Sequence, residues 1–217
     1  MFTERSSRME RPSQSAQPEI SFVQELWRKA THLGALVIPG GYYIFGLEKT
    51  TALAILVPIT LLIILTDISR LRGWWFWHGL MAIPFGRMIR SHEQGGDWTG
   101  ATYILLASCC TIALYSKPIA IAALAFIIVG DAAAAVIGRR FGKHKIGRKS
   151  IEGSLGCLAA TLLVAAFTPG LSFPVAACGA LVATLAEFEP LGADDNVTVP
   201  ILSGLVMTFV QKMIASY

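Results

Sequence analysis

One stretch in the middle of the chain combines residue types that bind phosphate and metal. It opens with Gly130-Asp131 and closes with Lys149-Ser150-Ile151-Glu152. Between Asp131 and Ser150 lie three glycines and six cations: Gly138, Gly142, Gly147, Arg139, Arg140, Lys143, Lys145, Arg148 and Lys149. Glycines let backbone amides approach phosphate closely, and Lys and Arg neutralise its charge. An acid on each side of such a segment is expected where a nucleoside triphosphate binds with a divalent metal.

The two flanking acids favour this interpretation over a simpler one. A basic segment beside a membrane can be held by anionic lipid alone, with Asp131 paired to a nearby arginine. However, Asp131 lies about 10 Å along a helix from the end of its apolar run, where a charge costs on the order of 3 kcal/mol. The segment is not a Walker loop, because three residues separate Gly138 from Gly142 and His144 stands where Ser or Thr would bind magnesium.

A second acidic group follows near residue 190. It comprises Glu187, Glu189, Asp194, Asp195 and Asn196, in a loop without Lys or Arg. Carboxylates without compensating cations hold magnesium directly or through water. The alternative is a solvated turn around Pro190 and Gly192. We expect these acids to face the basic segment and to contribute to a metal site.

Two further groups are weaker signals. Helical spacing places Glu25, Arg28, Lys29 and His32 near one face of a short amphipathic helix over 21–32. The alternative is that the two cations only anchor the chain at a membrane surface. The other group is Arg87, Arg90, Glu93, Asp97 and Thr99-Gly100, at the start of an apolar run.

The composition indicates what kind of fold positions these residues. The chain has 217 residues, of which 54% are hydrophobic and 15% charged, with a net charge of +4. A soluble domain carries about 25% charged residues, so the composition excludes a disordered protein and argues against an ordinary soluble enzyme. No basic face typical of nucleic-acid binding is visible. The four cysteines lie in apolar runs without metal-ligand spacing and are expected to be small buried side chains.

The apolar pattern predicts an all-α polytopic membrane bundle. Seven runs serve as candidate spans: 33–47, 50–66, 99–116, 118–138, 153–168, 171–187 and 197–216. The aromatic stretch 73–89 is expected to form a helix in the membrane interface, with an eighth span as the alternative. Residues 1–20 are expected to be a disordered cytoplasmic tail, and 21–217 a single membrane-embedded domain.

The charges predict the orientation. With the N-terminus in the cytoplasm, the segments at 1–32, 67–98 and 139–152 hold all but three of the 18 Lys and Arg residues. Only Lys49, Lys117 and Lys212 then fall on the outer side, as the positive-inside rule expects. Every polar cluster also falls on the cytoplasmic face. This one-sidedness favours an enzyme that takes a soluble substrate from the cytoplasm over a transporter.

The motifs, taken in order, resemble the family of dolichol kinases, phytol kinases and CTP-dependent diacylglycerol kinases. The resemblance covers residues 25 to about 205, and its most specific part runs from Gly130-Asp131 to Lys149-Ser150-Ile151-Glu152-Gly153. The remaining motifs are Glu25-Leu-Trp-Arg28-Lys29-Ala-Thr-His32, Arg90-Ser-His-Glu93, Thr99-Gly100-Ala-Thr-Tyr, and Glu187 with Asp194-Asp195-Asn196.

The resemblance implies phosphorylation of a membrane-embedded lipid alcohol, commonly by CTP with Mg²⁺ or another divalent cation. It implies that Asp131 and Glu152 are metal or catalytic acids, with Lys149 acting beside them. The implied nucleotide contacts are Gly138, Arg139, Gly142, Lys143, Lys149, Ser150 and Asn196. Asp194 and Asp195 are the implied further metal ligands, and Glu25, Arg28, Lys29, His32, Arg90, Glu93 and Thr99 complete the motifs.

The central stretch is also similar to that of phosphatidate cytidylyltransferases. Those enzymes carry a further C-terminal signature with His-Gly-Gly and Asp-Arg-x-Asp, and this sequence has none, so the kinase interpretation leads. A small transporter or lipid-binding protein is the other alternative. The sequence leaves open the alcohol (polyprenol, phytol or diacylglycerol), CTP against ATP, the general base and the oligomeric state, a homo-oligomer included. It favours a bacterial inner membrane.

Overall fold

The structure is a computed structural model that describes residues 32–74, 98–147, 149–189, 192 and 194–216. Several predictions fall outside these residues. They are the tail over 1–20, nearly all of the amphipathic helix over 21–32 and of the interfacial helix over 73–89, and the motif residues Glu25, Arg28, Lys29, Arg90 and Glu93.

The described residues form seven helices and one short hairpin. The helices are α1 Val37–Ile44, α2 Lys49–Leu71, α3 Gly100–Leu114, α4 Lys117–Phe141, α5 Ile151–Phe167, α6 Phe173–Phe188 and α7 Asp195–Ala215. Between α4 and α5, strands β1 Lys145–Ile146 and β2 Lys149–Ser150 pair antiparallel. The helical architecture is therefore confirmed, and the hairpin is an addition that the sequence pattern did not predict.

Three of these helices are long and apolar enough to cross a membrane: α2, α4 and α7. The predicted runs 99–116, 153–168 and 171–187 form α3, α5 and α6, which are shorter apolar helices. The first run forms only the eight-residue α1, about 12 Å long against a hydrocarbon core of about 30 Å. The count of seven spans, the single domain and the cytoplasmic N-terminus stay predictions.

Helix α4 forms the centre of the bundle. Its residues from Ile119 to Leu124 are buried, and it packs against α5, α6 and α7. Small residues bring these helices close together. A Cβ at Gly130 would lie 2.9 Å from Cys157 Sγ, and one at Gly156 would lie 2.5 Å from Ile137 Cδ1. Close approach through small side chains is typical of helices that associate in membranes.

Two lysines predicted on the outer side satisfy backbone carbonyls at the bundle end where α3 meets α4. Lys49 donates to the carbonyl of Ala113 at 3.0 Å, and Lys117 donates to that of Leu47 at 2.8 Å. Carbonyls near helix ends lack intrahelical donors, so an ammonium there is favourable. The hairpin connects the end of α4 to the start of α5, and a short segment connects the end of α6 to the start of α7.

Candidate functional site

The hairpin between α4 and α5 carries the central motif. Gly147 adopts φ +59° at its turn, a conformation that glycine adopts without steric cost. The pairing of Ile146 with Lys149 and a hydrogen bond of 3.0 Å from the Ile151 N–H to the His144 carbonyl fix its register. Ser150 then caps α5, because its hydroxyl accepts from the Gly153 N–H at 3.1 Å.

Glycines hold this hairpin against the end of α4. A Cβ at Gly138 would lie 3.0 Å from Ser150 Oγ, and one at Gly142 would lie 2.7 Å from the same atom. A Cβ at Gly153 would lie 2.9 Å from the Ala134 carbonyl oxygen. The structure therefore gives Gly138, Gly142 and Ser150 a packing role, and their contact with a nucleotide stays a prediction.

Lys149 joins the central motif to the second acidic group. Its ammonium lies 3.1 Å from Glu187 Oε1 at the end of α6 and 3.2 Å from Asp195 Oδ2 at the start of α7. Burial lowers the Lys149 pKa, but the charges and hydrogen bonds of the two carboxylates outweigh it, so the pKa is raised overall. Lys149 is therefore a cation at neutral pH. The expectation that these acids lack a compensating cation is wrong for Glu187 and Asp195.

Asp131 lies beside this cluster on α4. Its carboxylate is 3.6 Å from His32 Nε2, with 26% of the Asp131 side chain exposed. Its charge also acts on the Glu187 and Asp195 carboxylates. The structure thus pairs Asp131 with His32 and Lys149 with Glu187 and Asp195, and these residues come from three motifs separated along the chain.

Glu152 makes a different contact. Its carboxylate lies 2.7 Å from His144 Nδ1 and accepts from the His144 backbone N–H at 3.2 Å. The hydrogen bond from the His144 side chain is the main cause that lowers the Glu152 pKa to about 2. Glu152 is at the first turn of α5, before the apolar run, and is ionised at neutral pH. The structure pairs it with His144 and places Lys149 with other acids.

Asp194 and Asn196 contact each other. Asp194 caps α7 by accepting from the Asn196 N–H at 2.9 Å, and the Asn196 side-chain amide donates to it at 2.7 Å. Among the residues that the structure describes, no group of three or more His, Cys, Asp or Glu side chains is arranged to hold a metal ion. The metal site at Asp131, Glu152, Asp194 and Asp195 stays a prediction.

The cations of the α4 end and the hairpin are exposed. Arg139, Arg140, Lys143 and Lys145 have exposed side chains, and the Arg140 guanidinium lies over the Phe141 ring, 5.9 Å from its centroid. Exposed cations beside the acidic cluster supply a surface that attracts a polyanion such as a nucleotide.

One buried polar group was missed by the sequence analysis. Asp67, near the end of α2, is 3% exposed. Its Oδ2 accepts from the Thr99 N–H and hydroxyl, each at 2.9 Å, and from the Thr102 hydroxyl at 2.7 Å. Its Oδ1 pairs with Arg70 Nε at 3.2 Å. The available signal was an acid with an Arg three residues later at the end of an apolar run. Thr99, predicted as a motif residue, therefore binds a carboxylate of the protein itself.

Comparison with known proteins gives an independent view of the chain. It is 26% identical over 216 residues to CTP-dependent diacylglycerol kinase 1 of Saccharomyces cerevisiae, covering 87% of this chain and 74% of that protein. The chain is similar to a CTP-dependent lipid kinase. The resemblance predicted from the motifs is confirmed by this match. An uncharacterised protein of Rickettsia prowazekii is 25% identical over 189 residues, covering 80% of this chain and 88% of that protein.

Other comparisons found nothing further. No protein-family model matches the chain, and no solved structure matches it. The apolar helices and the similarity to a CTP-dependent diacylglycerol kinase together indicate an integral membrane protein.

Proposed function

We propose that this chain is an integral membrane lipid kinase that transfers the terminal phosphate of a nucleoside triphosphate to the hydroxyl of a lipid alcohol. The observation that carries the proposal is the cluster of Asp131, Lys149, Glu187 and Asp195 at one end of an apolar bundle, next to an exposed basic hairpin. A lipid can enter such a bundle from the side, while a water-soluble donor reaches its polar end.

The reaction needs mainly positioning and neutralisation of charge. The lipid hydroxyl oxygen attacks the terminal phosphorus, and the bond from that phosphorus to the bridging oxygen breaks. The products are a lipid phosphate and a nucleoside diphosphate. We propose that Asp131 accepts the hydroxyl proton. This is supported by the effect of its charge on Glu187 and Asp195, the carboxylates that hold Lys149. Arg139, Lys143 and Lys149 neutralise the donor phosphates.

Mg²⁺ fits this cluster by its chemistry, because carboxylate oxygens are its preferred ligands. When bound, it supplies further charge neutralisation on the donor phosphates. We propose Asp131 and Asp195 as its ligands, supported by the 3.2 Å contact of Asp195 with Lys149 and by the effect of the Asp131 charge on Asp195. Glu152 and Asp194 would have to leave His144 and Asn196 to join them.

For the substrates we propose CTP and a diacylglycerol, because the yeast relative is named a CTP-dependent diacylglycerol kinase. Polyprenol and phytol are the other alcohols to test, and ATP the other donor. We further propose that the active end faces the cytoplasm, because most Lys and Arg residues belong to segments predicted on that side. We propose a bacterial inner membrane as the location.

The test uses purified protein in nanodiscs with Mg²⁺, CTP or ATP, and each alcohol in turn. We expect a lipid phosphate from at least one alcohol. Asp131→Asn should abolish its formation without reducing expression, while Lys212→Met, at the far end of α7, serves as the matched surface control. An Asp131→Asn protein as active as the unmodified chain would contradict the role assigned to Asp131.

A further inference from the structure

The hairpin between α4 and α5 is too short to hold its own conformation. Its strands β1 and β2 have two residues each, and an isolated two-stranded hairpin is at best marginally stable in water. Both side chains of β1, Lys145 and Ile146, are exposed, so they do not pack β1 against the bundle. On β2, however, the Lys149 ammonium lies between Glu187 and Asp195. A further contact must therefore fix the hairpin.

His144, the residue before β1, makes that contact. Its Nδ1 lies 2.7 Å from Glu152 Oε1, and its backbone N–H donates to the two Glu152 carboxylate oxygens at 3.2 and 3.3 Å. Its carbonyl accepts from the Ile151 N–H at 3.0 Å. The side chain, the N–H and the carbonyl of one residue are thus bound to the first two residues of α5, and they close the base of the hairpin against that helix.

The exposure of the pair indicates a local effect. The His144 side chain is 75% exposed and that of Glu152 is 23% exposed. Exposed ion pairs add little to the stability of a protein, and holding an exposed side chain in one rotamer costs conformational entropy. The contact therefore contributes little to the stability of the whole bundle. Its consequence is the position of β1 and, through the pairing of β1 with β2, the position of Lys149.

We propose that His144 and Glu152 form a clasp that holds Lys149 in its place at the candidate site. With the clasp closed, the hairpin keeps the Lys149 ammonium 3.1 Å from Glu187 and 3.2 Å from Asp195. With the clasp open, β1 leaves α5 and Lys149 moves with the hairpin. His144 is therefore a positioning residue that acts through Lys149. Its effect on phosphate binding rests on the proposed kinase function, whereas its effect on the position of Lys149 does not.

The rate at which each lysine is acetylated measures the position of Lys149 without nucleotide. The full chain in nanodiscs is treated with acetic anhydride at constant pH, and acetylation of each lysine is quantified by mass spectrometry. Lys149 should react more slowly than the exposed Lys145, because its side chain is 28% exposed and ion-paired. His144→Ala should raise the Lys149 rate about tenfold and leave the Lys145 rate unchanged.

Two further variants separate the clasp from a general disturbance. His144→Asn is the matched control, because its side-chain amide keeps a donor near the position of Nδ1, so Lys149 should stay slow. Glu152→Ala should raise the Lys149 rate as His144→Ala does, and the double variant should raise it no further, since the two residues form one clasp. An unchanged Lys149 rate in His144→Ala, or single-variant increases that multiply in the double variant, would overturn the inference.

Binding of CTP with Mg²⁺, without lipid alcohol, connects the clasp to the proposed function. His144→Ala should weaken CTP binding about tenfold, and it should have no further effect in Lys149→Met. Lys145→Met, which removes an exposed cation of the same hairpin, should weaken CTP binding equally in both backgrounds. An effect of His144→Ala that persists in Lys149→Met would overturn its action through Lys149.

The two measurements distinguish the clasp from the kinase. The expected acetylation pattern in a chain that binds no nucleotide would support the clasp and count against the proposed function. A chain that binds CTP, but in which Lys149 is acetylated equally fast with and without His144→Ala, would overturn the clasp and leave the proposed function standing.

Discussion

Gly153→Ala tests whether the central hairpin is positioned by direct contact of two helix backbones. The added Cβ would lie 2.9 Å from the Ala134 carbonyl oxygen, 3.1 Å from Ser150 Oγ and 3.2 Å from Gly138 Cα. The Ser150 hydroxyl can rotate away, but the two backbone atoms of α4 cannot. Helices α4 and α5 must therefore separate, and the hairpin that carries Lys149 must move with them.

The magnitude follows from two opposing effects. Overpacking costs about 1–3 kcal/mol, and alanine is favoured over glycine in a helix by about 1 kcal/mol. The net loss is about 0–2 kcal/mol, which lowers the Tm by up to about 8 °C for a chain of this size. Relative to a Gly→Ala change in a helix where the added Cβ meets no atom, the full loss of about 1–3 kcal/mol remains. Gly40→Ala is the matched control, because a Cβ at Gly40 in α1 has no atom within 4 Å.

Thermal unfolding in detergent and nucleotide binding measure the effect. We expect Gly153→Ala to lower both the Tm and the affinity for nucleotide, whereas Gly40→Ala should leave the Tm unchanged or raise it. If the two variants unfolded at the same temperature, the close contact of α4 with α5 would be refuted.

Three further changes test other parts of the structure. Asp67→Asn should destabilise the protein by about 2–4 kcal/mol, since an amide cannot accept from all its donors; the neighbouring Thr66→Val, which only loses a hydrogen bond within α2, should cost far less in the same unfolding assay. His144→Ala should raise the Glu152 pKa from about 2 toward its ordinary 4.5, which infrared titration of labelled glutamate measures, with Glu152→Gln identifying the signal. Because the folded-state pKa is the lower one, the stabilisation from the pair is present above pH 4.5 and is lost as the pH falls toward 2. An unchanged Glu152 pKa in His144→Ala would contradict the pair. Lys149→Met should lower the Tm, because it leaves the Glu187 carboxylate without its cation, and adding Glu187→Met should restore most of the lost Tm. If the Tm losses of the two single variants added in the double variant, the two side chains would not interact.

The helical architecture could be predicted because long apolar runs are a strong indication of helices. Each of the seven runs contains a helix, since backbone groups in lipid must be satisfied within the segment. The first run contains the shortest of these helices, the eight-residue α1, in which Pro39, Gly40 and Gly41 lie. The hairpin was not predicted, since strands of two residues leave no alternation to detect.

The candidate site was predictable in residue type but not in pairing. The sequence predicted functional roles for Asp131, Lys149 and Asp195. It could not predict that Lys149 pairs with Glu187 and Asp195, because these acids are 38 or more positions from it. Glu152 was assigned to the metal, whereas the structure pairs it with His144. Such pairings depend on how helices pack, and one sequence contains no direct signal of that.

The central claim is the transfer of a terminal phosphate to a lipid, and the position of the label in the donor tests it most directly. The protein in nanodiscs with Mg²⁺ and diacylglycerol receives CTP labelled on the terminal phosphate or, in parallel, on the phosphate next to the ribose. Phosphatidate is offered in a further sample. We predict that label reaches the lipid only from the terminal position. Label reaching lipid only from the inner position would show cytidylyl transfer, and it would contradict the kinase account.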